Sequence, residues 1–104
     1  MLRLLESKSN TRKFGLSEFR IAETKVFIKK IEKQEFLEVY PKIKNKVYPQ
    51  LKLDPIFGVN IKKLKGEYSD LYRYRIGKFR LIFTVNLSEK IIYITDLQLR
   101  KDAY

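Results

Sequence analysis

The sequence predicts an α+β domain: a short N-terminal strand, then a two-helix hairpin packed on one face of an antiparallel sheet. Three observations carry this expectation. Residues 25–51 place apolar side chains at helical spacing, 72–83 alternate about a glycine-centred turn, and a further β-rich run, IIYITDL, follows within a few residues. Connections that short between strands force antiparallel pairing. The helices have apolar stripes to bury, and only one sheet face can receive them.

Residues 1–17 mix apolar pairs with Lys, Arg, Ser and Asn and follow neither period, so they read as an N-terminal extension to a single domain over 18–104. Leu2, Leu4 and Leu5 can form a small added element or remain a partly ordered arm. Phe19 to Ala22 reads as the first strand, with Phe19 and Ile21 on one face, and Thr24 as a helix N-cap. From Lys25, Phe27, Ile28 and Ile31 follow a helical period, which predicts a first helix to about Val39. Pro41 suits the start of a second helix, whose stripe is Ile43, Val47 and Leu51. Pro49 predicts a kink or frayed end, because an interior proline removes a hydrogen bond and crowds the preceding turn. No helix is expected beyond Asp54-Pro55, and 54–60 reads as a loop. Lys62, Lys63 and Lys65 then arrive at the edge of the sheet, either as a solvated loop or as a grip on phosphates.

Leu71 to Asn86, LYRYRIGKFRLIFTVN, is the most informative stretch. With Gly77 and Lys78 as the two turn residues, Ile76 pairs with Phe79, Arg75 with Arg80, Tyr74 with Leu81, Arg73 with Ile82 and Tyr72 with Phe83. One face is then Tyr72, Tyr74, Ile76, Phe79, Leu81 and Phe83, and the other carries Arg73, Arg75 and Arg80. Like charges directly opposite destabilise a sheet, so Arg75 and Arg80 either splay and stack on neighbours or share an anion. The strand at Ile91 to Leu97 is expected to cover the core with Ile91 and Tyr93, leaving the arginine face open.

Composition narrows the chemistry. A formal charge of +11 on 104 residues points to an acidic partner, whether nucleic acid, anionic membrane or acidic protein. The absence of Cys and His removes disulfides, thiolate chemistry and the common zinc ligands. No apolar run approaches the ~20 residues of a membrane span and the start lacks a signal-peptide core, which points to the cytoplasm. Neither a membrane nor a small-molecule cofactor is expected as a partner.

Taken together, LKLDPIFGVNIKKLKG, YRYRIGKFRLIFTV and the terminal LRKDAY resemble the RelE/ParE superfamily of toxins from bacterial toxin–antitoxin pairs, over about Phe19 to Tyr104. The shared features are a proline-containing end of the second helix, a leucine-glycine step, an aromatic-Arg-hydrophobic strand and a terminal Arg-x-x-x-Tyr. The resemblance implies a small toxin neutralised by a cognate antitoxin protein. Its RelE branch implies ribosome-dependent, metal-independent cleavage of mRNA, in which the 2′-hydroxyl attacks the adjacent phosphate and leaves a 2′,3′-cyclic phosphate. Its ParE branch implies inhibition of DNA gyrase by binding alone, and a non-catalytic RNA-binding module is a third reading.

By the resemblance Arg80 matches the family's phosphate-stabilising arginine, Arg100 its C-terminal arginine and Tyr104 its terminal tyrosine, while Arg73 and Arg75 stand where lysines stand in the best-known member. These five are the expected catalytic set, and Lys62, Lys63 and Lys65 the expected RNA contacts. Guanidinia on rigid strands suit a phosphorane, whose charge exceeds that of the diester, but an arginine effectively never deprotonates. The proton acceptor is therefore open among Lys62, Lys63, Lys65, Glu67 and Tyr104. Lys29, Lys30, Lys42, Lys44 and Lys46 are either rRNA contacts or solvated helix faces.

Overall fold

The computed structural model describes residues 2–5, 18–64, 66 and 70–99. Among these, six strands form one sheet in the order β1-β2-β6-β5-β4-β3. They are β1 (Arg3–Leu5), β2 (Arg20–Glu23), β3 (Ile61–Lys63), β4 (Tyr72–Ile76), β5 (Phe79–Asn86) and β6 (Ile91–Leu99). Helical elements between β2 and β3 cover one face, and the α+β architecture is the one expected. All neighbours pair antiparallel except β2 and β6, which run parallel.

Thr24 caps α1 (Lys25–Lys30) as expected, accepting from Phe27 N and donating from Oγ1 to Ile94 O at 2.8 Å. The helix stops well short of Val39. Ile31 and Phe36 are five residues apart, so a continuous helix would rotate Phe36 about 140° off the buried stripe. The chain instead breaks into turns and a 3₁₀ turn (Gln34–Phe36), and both side chains reach the core. The second helical region starts at Val39, two residues before Pro41, which occupies its first turn where no intrahelical N–H is needed. It runs through α2 (Val39–Lys42), a π-helical turn (Ile43–Val47) and α3 (Tyr48–Leu53). The wide turn, closed by Tyr48 N donating to Ile43 O, lies just ahead of Pro49 and is where the helix absorbs it. Ile43, Val47 and Leu51 are fully buried, as their spacing predicts.

Two corrections, and a choice between two readings, concern the sheet. Ile61–Lys63 is a paired edge strand and not a loop. Arg3–Leu5, on which the sequence left two readings, pairs antiparallel with β2. On β6 the core is covered by Ile92, Ile94 and Leu97, opposite Val85, Phe83 and Leu81, whereas Ile91 and Tyr93 are half-buried on the other face. A run of apolar residues such as IIYI does not disclose its own phase, and the pairing with β5 sets it.

One buried polar cluster ties the helices to the strands. Glu23 is fully buried on the helix face of β2. Its Oε1 accepts from Arg3 Nε at 2.7 Å, and its Oε2 accepts from the Tyr40 and Tyr48 hydroxyls at 2.7 and 2.8 Å. Burial, then the hydrogen bond to Glu23, pushes the Tyr40 phenol up to about 12 from its ordinary 10.0. Burial and the Glu23 charge push Tyr48 up as well. A phenol whose pKa is raised on folding contributes stability that is complete below its unfolded value and lost as pH climbs through the folded one. Stability is therefore expected to decline from about pH 10 towards 12. In a series of urea midpoints, Tyr48→Phe should flatten that decline; an unchanged slope would show that Tyr48 ionises no differently once folded.

Candidate nucleic-acid interface

The hairpin register is the one expected: Tyr72 opposite Phe83, Arg73 opposite Ile82, Tyr74 opposite Leu81, Arg75 opposite Arg80 and Ile76 opposite Phe79. Gly77 supplies the turn with φ +58°. Arg75 donates its backbone N–H outward to Asn60 O at 2.9 Å, so it faces Arg80 in a non-hydrogen-bonded pair, the kind in which side chains approach most closely. Both arginines project from the face turned away from the helices. Tyr74 and Leu81 fix that orientation from below, being buried against α3 and the core, and the Tyr74 hydroxyl donates to Gln50 Oε1 at 2.7 Å.

Arg73 lies on the same face and is held in place, its Nη1 donating to Asn60 O at 2.8 Å. Arg75 is exposed, while Arg73 and Arg80 are half-buried beside Ile82, which is buried on this face. Alternation along β3 separates the two lysines. Lys62 is opposite Arg73 and joins the cationic face; Lys63 is opposite Tyr72 and lies 6.0 Å from that ring on the other side. Lys65, Glu67, Arg100 and Tyr104 lie outside the described residues.

β6 completes the face with residues that sequence reasoning passed over. The pairing of β5 and β6 shifts between Ile82 and Phe83, leaving Thr95 as the extra residue of a bulge, with its Oγ1 donating to Ile82 O at 3.1 Å. Beyond it Asp96 stands opposite Ile82 and Gln98 opposite Arg80. Gln98 Nε2 donates to Asp96 Oδ2 at 3.1 Å, which places both side chains on the arginine face. Asp96 Oδ1 accepts from Lys30 Nζ at 2.7 Å and from Leu97 N at 2.8 Å. A strictly alternating strand would have put Asp96 with Ile92 and Ile94 in the core; no local signal announces the bulge.

Among the described residues, the face is a sheet surface with no helix packed on it. A cavity of about 540 Å³ does exist, but it lies on the helix side between the 3₁₀ turn and the hairpin turn, lined by Glu35, Glu38, Lys42, Ile76 and Phe79. Among the described residues no group of acidic side chains gathers to hold a metal ion, and no helix is long and apolar enough to cross a membrane. Guanidinia fixed on adjacent strands of an open surface suit the phosphates of an extended polymer better than an enclosed small molecule.

No family model matches the chain. It is 37% identical over 71 residues to RelE1, a toxin of Methanocaldococcus jannaschii, covering 68% of this chain and 71% of that protein. Its fold is similar to the toxin–antitoxin complex RelBE2 of Mycobacterium tuberculosis, with a TM-score of 0.64 and 15% identity over 82% of this chain and 100% of that one. It is also similar to the RelB–RelE antitoxin–toxin complex of Methanococcus jannaschii, with a TM-score of 0.55 and 25% identity over 79% and 93% of the two chains. By sequence and by fold, this chain belongs to the RelE/ParE toxin superfamily.

Proposed function

We propose that the chain is the toxin of a type II toxin–antitoxin pair and cleaves mRNA on the ribosome as a metal-independent endoribonuclease. The observation that carries this reading is the convergence of Arg73, Arg75, Arg80 and Lys62 on one open face of a rigid sheet, with Arg73 anchored to Asn60 O. These groups bind the scissile phosphate and stabilise the extra negative charge of the phosphorane formed when the neighbouring 2′-hydroxyl attacks. The charge is in place before the reaction begins, so little reorganisation is needed in the transition state. Arg100 and Tyr104 are assigned to the same site by their match to the family's terminal arginine and tyrosine, the tyrosine stacking on a base. Lys62 and Lys65 grip RNA backbone, and the basic helix faces contact rRNA apart from Lys30, which is paired with Asp96. The partner is a cognate antitoxin whose acidic segment masks a surface of net charge +11, as the partners in the RelB–RelE complexes encourage.

The test is a translating extract programmed with one defined mRNA, with and without ribosomes, mapped by primer extension after adding the purified untagged chain. Cuts that require ribosomes are expected, each leaving a 2′,3′-cyclic phosphate. Intact mRNA with normal translation would reject the nuclease reading, and a gyrase supercoiling assay would then measure the ParE-like alternative.

A further inference from the structure

We infer that Asp96 is the proton acceptor of this site, taking the proton of the attacking 2′-hydroxyl; the inference rests on the nuclease reading above. The arginines and Lys62 supply charge to the face, but an arginine does not give up its proton at working pH. Among the described residues on the arginine face, Asp96 is the one carboxylate, brought there by the bulge at Thr95. It is opposite Ile82 and diagonal to Arg80, a separation of ~7–8 Å between neighbouring side-chain origins, which spans one ribose–phosphate unit.

The hydrogen bonds of Asp96 leave one oxygen ready. Oδ1 already accepts two donors, Lys30 Nζ and Leu97 N, whereas Oδ2 accepts only from Gln98 Nε2. A carboxylate oxygen accommodates about two donors, so Oδ2 retains a lone pair for the hydroxyl proton. The side chain is 26% exposed, enough to be reached from the open face. Lys30 and Leu97 N hold the carboxylate from behind, and Gln98 fixes its rotation next to Arg80.

In the step assigned to it, Asp96 Oδ2 takes the 2′-hydroxyl proton while the 2′-oxygen electron pair forms a bond to phosphorus. The bond from phosphorus to the 5′-oxygen then breaks, and that oxygen takes a proton from water. The products are a 2′,3′-cyclic phosphate and a 5′-hydroxyl, and Asp96 later returns its proton to solvent. Nothing is oxidised or reduced.

Single-turnover cleavage of ribosome-bound mRNA by wild type, Asp96→Asn, Asp96→Glu and Lys30→Met tests the assignment, with thermal unfolding and RNA binding measured on each. D96N is expected to lose ~10²- to 10⁴-fold in rate with RNA binding retained, the range for a positioned general base. Glu at 96 restores a carboxylate and should recover most of that loss. K30M leaves the carboxylate with two of its three donors and should stay within about tenfold of wild type. Cleavage by D96N within threefold of wild type rejects Asp96 alone. So does K30M falling as far as D96N, which would identify a structural ion pair. A wild-type chain that cuts nothing rejects the nuclease reading and this inference with it. If D96N does not fold, the Lys30→Met/Asp96→Asn double variant removes the stranded cation and is held to the same rates.

Discussion

Arg80→Ala is expected to lower ribosome-dependent cleavage by ~10²- to 10³-fold. The magnitude follows from what is removed, a preorganised charge on a central strand opposite Arg75 and beside Arg73 and Gln98. The same substitution relieves the like-charge repulsion across the Arg75 pair. Arg80→Lys should recover only part of the rate, since an ammonium keeps the charge but loses the planar fork that engages two phosphate oxygens. Arg75→Ala should cost less than Arg80→Ala, because Arg75 is exposed and its charge is screened by water. Equal rates for Arg80→Ala and wild type, with equal RNA binding, would remove Arg80 from the chemistry and leave the open face as a docking surface only.

Arg3→Met should destabilise the domain by about 2–3 kcal/mol, lowering the melting temperature by roughly 10–20 °C. The reason is the fully buried carboxylate of Glu23, whose only described cationic partner is Arg3. Methionine keeps the aliphatic stem but leaves the charge to the two phenols of Tyr40 and Tyr48. Fully buried pairs cost ~3–5 kcal/mol to break, and the smaller figure reflects the 45% exposure of the Arg3 side chain. Adding Glu23→Gln should restore much of the loss, because an amide in the same place still accepts from a phenol and carries no charge. Urea titrations of the two single variants and the double variant read this directly. A loss below about 0.5 kcal/mol for Arg3→Met would mean that the phenols alone satisfy the carboxylate, and that β1 is an ornament on the sheet.

The alternation around Gly77 is local information. Two-residue turn geometry and the pleat leave one register that buries Tyr74, Leu81 and Phe83, so the arginine face followed from the sequence once the turn was located. Thr24 as a cap and the stripe of Ile43, Val47 and Leu51 were legible for the same reason, each resting on contacts within a turn or two of chain. The end of α1 was less so, because it depends on where Phe36 must go, and that is set by the sheet beneath it.

What the sequence determined by itself was therefore the class of fold, the hairpin and the side of it that carries charge. The tertiary structure decided which buried group Arg3 neutralises, which strand runs parallel and which residues of β6 share the arginine face. Each of these depends on a partner distant in sequence: Glu23 on Arg3 and the helix tyrosines, β2 on β6, and Asp96 on a bulge that exists because Leu97 must return to the core opposite Leu81. Alternation can be read along a chain, but an inserted residue reverses it, and only the strand alongside determines where the insertion falls.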